Sequence, residues 1–325
     1  MEKKIAEIPP IVTAQWVKLN KKFLVKEREC MYPGCKNMGI FSHVLQRKGL
    51  LNRIADSGEL IMLEIDMFTD QKIDFIPKGI NQILKFRGFC KFHDSVLFEP
   101  IETNQWDVDL YTNHLLLSYR ALLCEIRKKE ISIEAQEAAF TDKIFLDTNI
   151  NYRKRYLHQS RIGVKDLKYY ESILLSNLDF PQNKLFKFHV INLPMLEVCT
   201  SAVFSYESII ERLPYINLGT DIPYPLTTIF IHLFPYQNRS VLIIGHLIAD
   251  SNKCKELISI LSSGDAERII KLISDILLQK INLWCMSKLF FKKNVHHRKQ
   301  KIISTISFAW KSQDNRRNLD FNLFN

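Results

Sequence analysis

The sequence predicts an α+β fold laid out in three stretches, and three observations predict it. Two pairs of metal-ligand residue types, Cys30 with Cys35 and Cys90 with His93, stand in a glycine-punctuated segment of short elements spanning residues 25–105. From Trp106 to about Asn177, apolar residues such as Leu115, Tyr119, Leu122, Leu123 and Ile126 recur at helical spacing. From Phe186 the chain turns to branched and aromatic runs and then returns to an amphipathic pattern, as expected of an antiparallel sheet closed by helices. The organisation read from this is an N-terminal extension over residues 1–24, a small metal-bearing domain over 25–105, and an α+β domain over 106–325.

Each element follows in order. Ser42 to Ile54 carries apolar residues three and four apart behind a serine, which predicts an amphipathic helix with Ser42 as its N-cap. Leu60 to Ile65 reads as a short strand, and Asp70 to Gly79 as a loop broken by Pro77 and Gly79. The middle region predicts two or three helices, with Val164 to Leu178 in the last of them. Phe188 to Leu193 and Ala202 to Phe204 read as strands. Thr227–Phe234 and Ser240–Ile248 read as an antiparallel pair joined through Pro235-Tyr236-Gln237-Asn238-Arg239. Asp265 opens an amphipathic helix through Ile269, Leu272, Ile273, Ile276 and Leu277. His189, His232 and His246 fall inside strand patterns and read as packed residues.

Composition narrows the class. Of 325 residues, 46% are apolar, enough to bury sizeable cores rather than remain disordered. The most apolar long stretch, Pro225 to Ala249, is interrupted by Pro235, Gln237, Asn238 and Arg239 and is too polar to cross a bilayer, so no membrane association is expected. Met1 to Ile8 carries charges of both signs and no signal-like apolar run, which places the chain in the cytoplasm. There the seven cysteines are expected as thiols or metal ligands, and Cys124, Cys199, Cys254 and Cys285 sit in apolar patterns as core thiols. A formal net charge of +10 favours polyanionic partners, nucleic acid first. Arg153, Lys154 and Arg155, and Arg298 with Lys299, are the candidate phosphate-binding residues, each cluster weighed against a plain solvated face. A protein partner or a homo-oligomer is left open.

The metal ligands form the sharpest signal. Cys30 and Cys35 flank Met31-Tyr32-Pro33-Gly34, and a Pro-Gly turn folds a chain tightly enough for two thiolates to meet one ion. Cys90-Lys91-Phe92-His93 supplies the second pair, just ahead of a segment able to start a helix. A knuckle pair plus a helix-start pair makes the closed tetrahedral set of structural zinc, in the manner of a treble-clef zinc finger.

In its order, the two cysteines, then Ser42-His43-Val44, then Gly88-Phe89-Cys90 followed by His93-Asp94, the segment resembles the zinc-bearing HNH, or ββα-metal, endonuclease domains over residues 25–105. That resemblance implies a phosphodiester-cleaving nuclease in which His43 is the general base and a second divalent ion, magnesium or manganese, neutralises the scissile phosphate. Asp94 stands where the family places its final metal ligand, with Glu99 and Asn81 as further oxygen donors, although Asn81 comes early for the family pattern. The alternative is a non-catalytic zinc scaffold for nucleic-acid binding or partner recognition, in which His43 is structural and Asp94 caps its own helix.

Overall fold

The computed structural model describes residues 10–66, 72–103, 106–145, 150–205, 207, 212–220, 222, 224–311 and 318–325. In chain order these residues form helix α1 (Pro10–Val25), strands β1 (Phe41–His43), β2 (Glu59–Asp66), β3 (Lys72–Gly79) and β4 (Lys85–Arg87), and the short helices α2 (Lys91–Leu97) and α3 (Glu99–Glu102). Two long helices follow, α4 (Tyr111–Thr141) and α5 (Ile150–Asp179), then β5 (Phe186–Leu193), β6 (Val198–Phe204) and α6 (Leu213–Leu218). The rest comprises β7 (Ile229–Tyr236), β8 (Arg239–Leu247), α7 (Lys255–Ser262), α8 (Ala266–Gln279), β9 (Trp284–Met286), α9 (Lys288–Phe290) and α10 (Lys299–Lys311).

Seven strands make one antiparallel sheet in the order β3-β2-β9-β6-β7-β8-β5, while β1 and β4 form a separate two-stranded ribbon. The unbroken apolar composition of β7 and β8 has a direct cause: nearly every residue of both strands is buried, so both faces of the sheet are covered. One cover is α4, whose residues 113–124 are buried without exception, the pattern of a helix surrounded by protein rather than lying on a surface. It packs on β6 and β7, on α5, and on the β4 side of the ribbon. The mutually packed helices α7, α8 and α10 lie in the C-terminal part, with α10 on β3. Asp265 caps α8 by accepting from the amides of Glu267 and Arg268, and α8 turns Ile269, Leu272, Ile273, Ile276 and Leu277 into the core.

The mixed α+β class, the two long helices, the β7–β8 hairpin and the four buried thiols outside the metal set agree with expectation. Two elements differ. The expected helix opening at Ser42 is instead strand β1 followed by turns and a single 3-10 turn at Leu51–Arg53. The apolar residues Val44, Leu45, Leu50, Leu51 and Ile54 are nevertheless all buried, so the burial pattern is met by a compact loop. The expected loop before Gly79 is strand β3, with Pro77 opposite Ile61. Pro77 is tolerated because β3 is the edge of the sheet, where a missing amide donor breaks no second ladder. Through β2, paired with β9, the segment assigned to the small N-terminal domain contributes to the same sheet and the same core as the C-terminal region. Pro225 to Ala249 supplies β7 and β8, and no helix among the described residues is long and apolar enough to cross a membrane.

Candidate metal centre

The knuckle is built by its turn. Cys35 donates its amide to the Tyr32 carbonyl at 3.1 Å across Pro33 and Gly34, and Gly34 has φ +75°, a left-handed value that glycine adopts without a Cβ penalty. A bridge between Glu29 and Met38 and the Cys30 amide on the Asn37 carbonyl at 2.8 Å close the knuckle behind its two cysteines. The β1–β4 ribbon then returns the chain, so that Cys90 occupies the N-cap position of α2 and His93 lies in its first turn.

The four side chains converge. Their ligand atoms all lie within 4.8 Å of one another, with Cys30 Sγ 3.5 Å and Cys90 Sγ 3.3 Å from His93 Nδ1, and Cys35 Sγ 3.9 Å from Cys90 Sγ. A tetrahedral zinc ion with ordinary Zn–S and Zn–N bonds separates its ligands by about 3.5–3.8 Å, so the set can hold such an ion with only small adjustments. Cys30 and Cys90 are buried and the other two half-buried. Burial pushes the Cys30 thiol up to about 11, whereas Cys90, although burial opposes its ionisation too, is drawn below the ordinary thiol range by the backbone amides of His93 and Phe92 and by the neighbouring thiols. Tyr32 stacks on His93, with ring centres 4.1 Å apart, and fixes the imidazole plane.

His43 ends strand β1, on the ribbon face opposite Ser42, which is buried. Its Nε2 lies 3.0 Å from the Ile80 carbonyl oxygen. A carbonyl only accepts, so Nε2 carries the proton and Nδ1 keeps its lone pair. Burial holds the imidazole pKa below its ordinary value, and the charges of Arg47 and Lys85 add to that, against the opposing pull of the Ile80 bond and Glu102.

Asp94 directly follows His93, and its Oδ1 is 3.9 Å from Arg120 Nη2. Arg120 comes from the buried stretch of α4, is itself only 2% exposed, places Nη1 2.5 Å from Glu102 Oε1, and lies over the Phe98 ring at 3.9 Å. Asn81 accepts a hydrogen bond from Arg47, and Glu99 is exposed at the start of α3. These residues do not gather into a preformed set of three or more ligands for magnesium or manganese among the described residues. The Asp94 carboxylate is matched with a guanidinium, and among the described residues the cysteine–histidine set is the one cluster of three or more ligand-type side chains.

The basic candidates scatter and are mostly engaged within the fold. Arg153 donates to the Phe145 carbonyl at 3.0 Å and lies over the Phe140 ring, and Arg155 reaches Asn217 at 3.4 Å. Arg298 donates to the carbonyls of Asn294 and Leu323, and Lys299 pairs with Asp74 at 2.5 Å. Lys154 is exposed on α5. The residues that sequence reasoning passed over are Glu102 and Arg120. A charged residue in the middle of the apolar run Leu115–Cys124 was the available signal for Arg120, since an arginine in a buried helix needs a carboxylate partner. Comparison with protein families, with curated proteins and with solved structures finds no match to this chain, and the reading of the site rests on its own geometry.

Proposed function

We propose that the protein is a zinc-stabilised nuclease of the HNH-like kind, in which Cys30, Cys35, Cys90 and His93 hold a structural zinc ion and His43 activates the attacking water. The order of knuckle, β1–β4 ribbon and α2 supports the treble-clef, ββα reading of residues 25–105. When bound, the zinc supplies cross-linking of knuckle, ribbon and helix, not chemistry at the phosphate. The observation that carries the proposal is the state of His43: a neutral imidazole, anchored through Nε2 to a backbone carbonyl, with Nδ1 as a free base.

From this arrangement the reaction follows. Nδ1 takes a proton from a water molecule as its oxygen attacks phosphorus, and the sugar oxygen leaves with a proton from solvent. General-base action of this kind is worth roughly 100- to 10,000-fold in rate. Arg47 and Lys85, whose charges act on His43, stand near enough to offset negative charge building on the phosphate. Every step here is assigned to residues of the chain itself.

The second reading, a zinc scaffold for binding alone, draws on the Arg120 ion pairs that already neutralise Asp94 and Glu102. One assay separates the two. Purified zinc-loaded protein is incubated with plasmid DNA and with RNA, with and without magnesium or manganese, beside His43→Ala. Cleavage by wild type that is lost in His43→Ala, at unchanged zinc content and thermal transition, is the expected result. Intact substrate with wild type under every condition, or loss of zinc on substitution, makes His43 structural and favours the scaffold.

A further inference from the structure

The β1–β4 ribbon sorts its residues by strand alternation. Ser42 and Phe86, opposite each other in the ladder, point inward and are 1% and 5% exposed. The other face carries Phe41 opposite Arg87 and His43 opposite Lys85, so an aromatic ring, two cations and the proposed base share one small outward surface. Phe41 is 38% exposed there, an unusual position for a phenylalanine on a three-residue strand. Lys85 Nζ lies 4.9 Å and the Arg87 guanidinium carbon 4.7 Å from the centre of that ring. Arg47, just beyond β1, reaches the Asn81 side chain and acts electrostatically on the same His43.

The cations on this face are not matched by carboxylates among the described residues, although Arg87 Nη1 donates to the Gly39 carbonyl at 2.8 Å. Several cations elsewhere are paired with carboxylates: Arg28 with Glu134, Arg120 with Glu102, Arg127 with Glu130, Lys288 with Glu59, and Lys299 with Asp74. Among the described residues, Arg47, Lys85 and Arg87 have no ion-pair partner, and Glu102, the carboxylate acting on His43, is already taken by Arg120. A surface that gathers unpaired cations around an exposed aromatic ring is complementary to a phosphate backbone whose bases are free to stack.

We infer that this ribbon face binds single-stranded nucleic acid, with a base against Phe41 and Arg87 and the flanking phosphates at Lys85 and Arg47, which deepens the nuclease reading by naming its substrate class. In a duplex the bases are already stacked on one another and present no π-face to Phe41, whereas a single strand offers each base to the ring. The Arg87 guanidinium lies over the ring and is itself a planar group on which a base can stack. Three residues of extended strand span about 10 Å, which suits two or three nucleotides running past His43.

The test is fluorescence anisotropy with fluorescein-labelled oligonucleotides of about 15 residues, as single-stranded DNA, single-stranded RNA and a DNA duplex of the same sequence. The protein is the zinc-loaded 325-residue chain carrying His43→Ala, without added magnesium, so that binding is read apart from cleavage. The expected result is binding of one or both single strands at least about tenfold tighter than the duplex. Phe41→Ala then weakens single-strand binding by roughly 5- to 100-fold, Phe41→Tyr retains it, and Lys85→Gln both weakens it and lowers the salt dependence by about 0.7 of a counterion. Lys255→Gln, at an exposed position at the start of α7, leaves binding unchanged. Zinc content and the thermal transition of each variant verify its fold. Equal or tighter binding of the duplex, or a folded Phe41→Ala variant within twofold of its parent, overturns the inference. Strong single-strand binding by His43→Ala alongside a wild type that cleaves nothing removes the nuclease reading and leaves this surface standing.

Discussion

His232 is the residue whose environment governs its chemistry most completely. It is fully buried on β7, with Nδ1 2.8 Å from Ser201 Oγ and Nε2 3.2 Å from Ser118 Oγ of α4. Burial, with a smaller push from the charge of His114, lowers its pKa to about 3. Folding therefore keeps this imidazole neutral, while the unfolded chain takes up a proton at the ordinary histidine value. The stability it contributes is present above the unfolded pKa and is lost as pH falls from there toward the folded value. Between about pH 7 and about pH 5 this single group should remove about 2 kcal/mol of unfolding free energy. Urea titrations over that range should show the loss, and His232→Gln should reduce the slope by about one proton, whereas an unchanged slope would mean that the site is not proton-linked. At this scale the sequence was partly legible. The four metal-site residues were readable because their spacing restricts how a chain can fold back on itself, and the strand histidine was readable as a packed residue. The tie between His43 and the Ile80 carbonyl was not, because it joins residues far apart in sequence and only the ribbon brings them together.

At the scale of elements, Ser42 to Ile54 shows how one apolar pattern can serve two conformations. Spacings of three and four suit a helix, yet Phe41–His43 gains a ladder with β4, and the residues after it bury their apolar side chains in turns. Pairing with a distant strand overrides local periodicity, and no window of the sequence contains that information. A metal ion held by the cysteine–histidine set would make the pairing persist. A knuckle, a ribbon of three-residue strands and a seven-residue helix are each too short to stand alone, and the metal set joins all three. Elemental analysis should find about one zinc per chain, and Cys90→Ser should lose it, because that thiol is both a ligand and the α2 N-cap residue. Structural zinc contributes on the order of 10 kcal/mol in small domains, so Cys90→Ser and chelation should both unfold the N-terminal part in hydrogen exchange while α4 and β7 stay protected. Undiminished zinc in Cys90→Ser would remove this residue from the ligand set.

For the whole molecule, the part that carries the cysteine–histidine set is joined to the large sheet by more than the chain itself. Expectation placed a boundary at residues 105 and 106, where glycines and short elements yield to helical periodicity. That change in character is real in the chain, since α4 begins at Tyr111, but packing runs across it. Strand β2 pairs with β9, and Arg120 reaches from the middle of α4 to Glu102 and toward Asp94 while covering the Phe98 ring. Arg120 is nearly inaccessible, and its ionic partners are half-exposed, so the pair sits between the part with the cysteine–histidine set and the core. Removing the guanidinium takes the nearby countercharge from Asp94, whose Oδ1 is buried without a hydrogen-bond partner, a loss that costs more than the pair itself contributes. Arg120→Met, which keeps the apolar stem, should therefore lower unfolding free energy by about 3 kcal/mol in urea, with zinc still bound. Glu102→Gln alone, which leaves the buried guanidinium with only the longer Asp94 contact, should also destabilise, and combining it with Arg120→Met should cost less than the sum of the two, because the double variant no longer carries half of a broken pair. The four measurements form a double-mutant cycle between α3 and α4. A coupling near zero, or an Arg120→Met variant within about 0.5 kcal/mol of wild type, would show that the two parts are held together by the β2–β9 ladder and apolar packing rather than by this ion pair.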